Sequence, residues 1–296
     1  MVRVKQQIIA ILLIVLFSFQ LSFSEKPENP AELYKYYKIH YNFYAIPDTV
    51  YTIEGEFIVP DGYHHPDQFD MTRYSDWVSH FPLWHQYKPV GNWKKQKEKE
   101  YTEISRAVHL PWVGTSFRDY AIPIRMLGEF YFQKDSLFRI SIMPHGGEAL
   151  TYNKWLENNV VFNHRGEVIM QPDVLKENNE REYYTFLNFC MEYSSYRGLA
   201  NSCDSVGIEE VQPGDMFITM DKTGKKGTVH IILHTIFNDS GDRLYLVGTG
   251  CPTACDFHIP LTGSDRDNPW LTIKSIMNFQ GDYESSGFYR FKELRE

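Results

Sequence analysis

Residues 211–248 hold the pattern that most restricts the fold. Three apolar runs, at 216–220, 228–237 and 244–248, are separated by segments rich in turn-forming residues. Val211-Gln212-Pro213-Gly214-Asp215 leads into the first run, residues 222–227 return the chain as the second, and Asn238-Asp239-Ser240-Gly241-Asp242 leads into the third. Connections this short leave no room for a crossover, so neighbouring strands must run antiparallel. The pattern predicts a C-terminal three-stranded antiparallel meander. A sheet of this kind needs a cover, and helical spacing upstream supplies one. Residues 180–193 place Tyr183, Leu187, Cys190 and Ser194 on one face, with acids in the first turn. Tyr74, Trp77, Val78 and Phe81 predict an amphipathic helix over 71–81. A third helix runs from Thr115 or Ser116 to about Gln133 and must kink or begin its regular part near Pro123, because proline lacks a backbone donor. Thr151 is placed to cap a short helix carrying Trp155 and Leu156. Further strands are expected at 51–59, 107–113 and 137–143. The fold class is therefore α+β, an antiparallel sheet packed with several helices. The 20 Tyr and 20 Phe, much of the 16% aromatic content, suit sheet packing.

The N-terminus sets the compartment. Arg3 and Lys5 precede an apolar run from Ile8 to Phe19, and Ser22 and Ser24 supply small residues before Glu25. A run of about 12 residues fits a secretory signal and falls short of the roughly 20 needed to span a bilayer. An uncleaved N-terminal anchor is the alternative, because Leu21 and Phe23 prolong the apolar character. Residues 1–24 are thus expected to be a signal peptide, 25–50 a linker and N-terminal extension, and 51–296 a single globular domain. The product is expected to be exported, to the periplasm, the cell surface or the medium, with no stable membrane span after cleavage. Removing 1–24 takes away two basic residues and no acid, moving the net charge from -8 to -10. So acidic a chain is not expected to bind nucleic acid.

The four cysteines, Cys190, Cys203, Cys251 and Cys255, all lie in the exported part, where disulfides form. Four cysteines allow three pairings. The spacing Cys251-Pro-Thr-Ala-Cys255 makes these two the candidates for a local disulfide, with two packed thiols as the alternative. Cys190 reads as a small core residue.

Nucleophilic chemistry needs a thiolate and a base to take its proton. Cys203 and His230, with a Pro213-Gly214-Asp215 turn between them and a polar strand end at Thr249, are the candidate catalytic pair. Asp204 beside Cys203 would raise its pKa. His230 and His234, four apart on one predicted strand, should face the same way about 13 Å apart and cannot share an ion. A metal set of His230, Asp256 and His258 is a further arrangement, although no metal or cofactor is assigned. His64-His65-Pro66-Asp67 reads as an exposed turn, and residues 94–100 as a solvated charge run. Candidate binding residues are Arg125 and Glu129, which should pair on a helix surface, His145 in a loop, Asp215 and His258.

The order Cys203, Pro213-Gly214-Asp215, His230 resembles that of papain-like cell-wall hydrolases, which implies a papain-like fold. From about Pro60 onward the chain also resembles the bacterial domain of unknown function family numbered 4846. The resemblance is carried by Pro60-Asp61-Gly62-Tyr63, Trp77 with Phe81-Pro82-Leu83, Arg125 with Glu129, Tyr152 with Trp155, residues 193–199, Pro213-Gly214-Asp215, His230, Asp256-Phe257-His258 and Pro269-Trp270. It implies an exported or envelope-associated protein. This chain departs from the family at Phe117-Arg118-Asp119-Tyr120-Ala121, where relatives carry a Gln-Gln-Cys-Ala-Asp-like stretch, and at Val229, where they carry Gly. The expected function is that of a non-catalytic or degenerate domain binding a glycan, peptide or partner protein of the cell wall or envelope. The alternatives are a Cys/His hydrolase of cell-wall peptides and a metal-dependent enzyme.

Overall fold

The computed structural model describes residues 51–67, 70, 72–112, 114–172 and 175–295. The expected signal peptide and linker lie outside the described residues. The helices are α1 (Ile53–Glu56), α2 (Tyr74–Ser79), α3 (Ile122–Gln133), α4 (Tyr152–Glu157), α5 (Glu180–Tyr193), α6 (Tyr196–Asn201) and α7 (Ile273–Met277). The strands of the main sheet are β1 (Tyr63–His64), β2 (Ile104–Ala107), β3 (Cys203–Val206), β4 (Met216–Met220), β5 (Gly227–Asn238), β6 (Arg243–Thr249), β7 (His258–Pro260) and β8 (Ser285–Phe291). The fold is mixed α and β, and its sheets are antiparallel.

The main sheet has eight strands in the order β3-β8-β4-β5-β6-β7-β2, and β1 pairs with the far end of β5. The C-terminal strand β8 inserts between β3 and β4, so the sheet is wider than local sequence pattern shows. A bulge between Ile232 and His234 interrupts the β5-β6 register. A bulge adds a residue to one strand, and everything past it turns to the opposite face. Ile231, Leu233 and Leu246 accordingly pack into the larger core with residues of α2, α3 and α5. Phe217, Ile232 and Val247 pack on the other face with Ile276 of α7. His230 and His234 therefore lie on opposite faces, which corrects the expectation that they face the same way.

Helix α5 begins where its sequence predicts, with the Asn179 side chain accepting from the Glu182 amide at 2.9 Å. Its buried face of Tyr183, Leu187 and Cys190 meets α3 at Gly128, whose carbonyl accepts from the Tyr183 hydroxyl at 2.9 Å. Pro123 stands in the first turn of α3, where its missing donor costs nothing. Thr151 caps α4.

Three strand expectations fail, two of them for local reasons. At 51–59 the strand stops after Thr52, because the Thr52 hydroxyl accepts from the Gly55 amide and caps the helical turn α1. At 137–143 a 3-10 turn takes Leu137–Arg139 and only Ser141–Ile142 pairs as a strand. The strand expected at 107–113 ends at Ala107.

Candidate functional site

Cys203 opens β3 at the edge of the sheet, opposite Phe291 of β8. His230 stands on β5, opposite Phe217 of β4 and Thr249 of β6. Strands β8 and β4 lie between them, so the two residues are at least three strand spacings, about 14 Å, apart. The candidate catalytic pair is not brought together. Burial pushes the Cys203 thiol well up, with Glu293 and Asp204 adding to it, and burial also raises the thiol of Cys190. Neither supplies the thiolate that nucleophilic attack requires. His230 is held down to about 4, first by burial and then by His258 and Lys99. Its ring stacks on Phe279 with centroids 4.2 Å apart.

His258 lies in the same cross-strand row as His230, through Thr249. Its Nδ1 donates to the Asp256 carbonyl at 2.9 Å, and its Nε2 accepts from the Lys99 ammonium at 3.1 Å. The Asp256 carboxylate instead takes Lys88 at 3.1 Å and the Gly91 amide at 2.9 Å. Both ring nitrogens of His258 are thereby used, and an ammonium stands where an ion would have to sit. His230, Asp256 and His258 do not form a metal set. Burial, then Lys99, holds His258 down to about 4.

The remaining expected residues are dispersed. Arg125 and Glu129 pair as the helical spacing predicts, but not on the surface: their side chains are only 14% and 1% exposed. Glu129 also accepts from Tyr184 at 3.1 Å, and the Arg125 guanidinium lies over the rings of Tyr184 and Trp112. The pair locks α3 to its surroundings. Exposed His145 places Nδ1 3.0 Å from the Ser195 hydroxyl, which already caps α6 by accepting from the Gly198 amide. Cys251 and Cys255 form the disulfide. Asp119 carried no sequence signal as a site. It is buried under the sheet, accepting from the Tyr196 hydroxyl at 2.8 Å and the Val229 amide at 3.3 Å, and burial raises it to about 6.

Asp215, one of the expected binding residues, lines a cavity. Gly214 has φ +91°, and a Cβ there would come within 2.6 Å of the Tyr74 ring, so the turn requires glycine. The turn aims the buried Asp215 carboxylate at Arg290 of β8, which grips it through two bonds of 2.7 and 2.8 Å, while the Gln212 amide adds a third at 2.9 Å. Around this fork opens a groove of about 410 Å³, walled by the start of α2, the end of α3, the 212–215 turn and the chain after β8. Arg73, Lys134, Arg139, Arg290 and Arg295 line it, against the two acids Asp215 and Glu293. Burial lifts Glu293 to about 7, so near neutral pH it contributes only part of a charge.

On the larger-core face of the sheet, a second cavity of about 120 Å³ shares the wall residues Ser75, Gln212 and Pro213 with the groove. Strand β1, by pairing with β5, carries His65 back over the sheet to His234, the residue that the bulge turned to this face. His65 Nδ1 and His234 Nε2 are 2.9 Å apart, and Glu54 Oε1 of α1 is 4.0 Å from His65 Nδ1. His80, after α2, places Nε2 2.5 Å from the second Glu54 oxygen and Nδ1 2.6 Å from the Asp76 carbonyl. The expectation that His65 lies in an exposed turn is corrected: Pro60-Asp61-Gly62 turns the chain into β1, and the pairing leads His65 inward. No helix among the described residues is long and apolar enough to cross a membrane.

A family model described as Domain of unknown function (4846) matches residues 53–292. No curated protein and no solved structure matches the chain.

Proposed function

The chain belongs to the domain of unknown function family 4846, and from that premise we propose an exported, non-catalytic domain that binds an anionic component of the cell envelope in the groove around Asp215 and Arg290. The carrying observation is a local charge reversal. In a molecule of net charge -8, five basic side chains line one groove; Arg290 is paired with Asp215, Arg295 with Asp204 and Arg73, at 4.0 Å, with Asp70, and a small local excess of positive charge is carried by Lys134 and Arg139. Arg and Lys recognise carboxylate and phosphate oxygens, Arg often through two parallel bonds. A groove of about 410 Å³ suits a small ligand or one segment of a larger one. Peptidoglycan fragments, whose stem peptides end in carboxylates, have this chemistry. The separation of Cys203 from His230 supports a binding role, as does a thiol protonated by burial. The order Cys203, Pro213-Gly214-Asp215, His230 then reads as that of a degenerate papain-like domain. The apolar run of residues 8–19 supports export.

The test is equilibrium binding of soluble peptidoglycan fragments to the purified protein, with mass analysis of the fragments afterwards. Binding without cleavage is expected, weakened roughly tenfold in Arg73→Ala/Lys134→Ala, as loss of two solvent-exposed ion pairs of up to about 1 kcal/mol each implies. Cleavage that His230→Ala abolishes would favour a Cys/His hydrolase instead.

A further inference from the structure

The histidine cluster on the larger-core face shares no ligand residue with the proposed binding groove, although its cavity and the groove have the wall residues Ser75, Gln212 and Pro213 in common. We propose that Glu54, His65 and His234 form a zinc site, with His80 as the residue that orients Glu54. Three independent segments, α1, the chain after β1 and the middle of β5, deliver one donor atom each, and these atoms all lie within 4.8 Å of one another. A tetrahedral Zn²⁺ with ligands about 2.0–2.2 Å away holds its donor atoms roughly 3.3 Å from each other. The two imidazoles stand 2.9 Å apart in a hydrogen bond that an ion would replace, and His65 and Glu54 stand 4.0 Å apart, so seating the ion requires the two rings to part slightly and the carboxylate to close in.

Donor chemistry narrows the metal. Two imidazoles and one carboxylate suit Zn²⁺ and Fe²⁺, of which the tetrahedral, redox-inert Zn²⁺ is the ion proposed, whereas Ca²⁺ and Mg²⁺ require a shell of oxygens. The surroundings also match what a metal needs. Ligating carboxylates in such sites are themselves held by outer partners, and His80 reaches the second oxygen of Glu54 while its Nδ1 is held against the Asp76 carbonyl. Glu54 and His234 are almost wholly buried, which fixes their donor atoms. The cavity of about 120 Å³ bordered by Glu54, His80 and His234 provides an entry path and space for a further ligand. Among the described residues the set supplies three ligands to an ion that takes four.

The site depends on the bulge. Were β5 to alternate strictly through Ile232–His234 with no bulge, His234 would share the face of His230, and the set would lose one ligand.

The experiment is zinc titration of the purified, chelator-treated protein by calorimetry, with bound metal measured after gel filtration. One Zn²⁺ per chain is expected. His65→Ala, at a partly exposed position, should keep its circular dichroism and lose binding by more than about 100-fold, since an outer-shell change alone costs roughly 10- to 100-fold. His80→Asn should fall within that outer-shell range. Binding should also weaken on acidification, because the imidazoles must be deprotonated to bind. Wild-type protein carrying no stoichiometric zinc would overturn the proposal, and so would zinc bound equally well by His65→Ala. Cobalt substitution of the wild type supplies a second readout that does not depend on a variant folding. Tetrahedral d–d bands without thiolate charge transfer are expected, and thiolate bands would place the ion on a cysteine and overturn the assignment.

Discussion

Burial sets the proton affinities of Asp119 and His230 in opposite senses for stability. The Asp119 carboxyl titrates near 6 in the folded chain against an ordinary 3.8, so the native state holds the extra proton. Its contribution is present below about pH 4 and is lost as pH rises through 6. His230 and His258, both near 4 against an ordinary 6.5, behave the other way. Their contribution is present above pH 6.5 and is lost as pH falls through 4. Two shifts outweigh one, so these three groups together should destabilise the fold as pH drops from 6.5 to 4. Urea midpoints of wild type and His230→Gln across this range check the point. The variant should show a shallower loss, and parallel curves would contradict the assignment. For Asp119→Asn, stability relative to wild type should rise between pH 4 and 6 by up to about 3 kcal/mol, the equivalent of a shift of about two pKa units. The two residues also differ in legibility. His230 drew attention by standing on a predicted strand between apolar neighbours, whereas Asp119 looks like any loop acid until β5 and α6 close over it.

Elements were legible in sequence wherever their determinants are local. The Asn179 and Thr151 caps, the apolar face of α5 and the runs of β4, β5 and β6 are all readable within a few residues. What escaped was set by partners far along the chain. Strand β8 fills the space between β3 and β4 from the other end of the sequence, and β1 attaches to the end of β5. The bulge in β5 breaks the strict alternation from which a common face for His230 and His234 was read. Of the candidate site, Asp215 was visible through its Pro-Gly turn, but Arg290, Arg73 and Lys134 were not, because the groove exists only after α2, α3 and β8 converge. The close approach at the β4-β5 hairpin gives an element-scale prediction. A Cβ on Gly227 would lie 2.0 Å from the Thr219 carbonyl oxygen and 2.9 Å from the Tyr196 ring. Backbone cannot rotate away as a side chain can, so Gly227→Ala should cost at least about 1–3 kcal/mol, seen as a lower melting temperature. A variant as stable as wild type would show that the hairpin tolerates the added methyl group.

At the scale of the whole molecule an acidic chain gathers five basic side chains into the groove around Asp215 and Arg290. Attraction between a groove of this kind and an anionic ligand is screened by salt, since the Debye length falls from about 10 Å at 0.1 M to about 3 Å at 1 M. Affinity for peptidoglycan fragments should therefore drop steeply over that range, and a salt-independent affinity would point to apolar contacts instead. The same arrangement separates recognition from the thiols: Cys203 lies at one sheet edge and His230 lies inside the sheet. The most direct measurement titrates peptidoglycan fragments into wild type, Arg73→Ala/Lys134→Ala and Cys203→Ala/His230→Ala side by side, and recovers the fragments for mass analysis. The first double variant should lose affinity, the second should bind as wild type does, and the fragments should return intact. Cleaved fragments from wild type but not from Cys203→Ala/His230→Ala, or an affinity indifferent to Arg73 and Lys134, would contradict the proposed binding role.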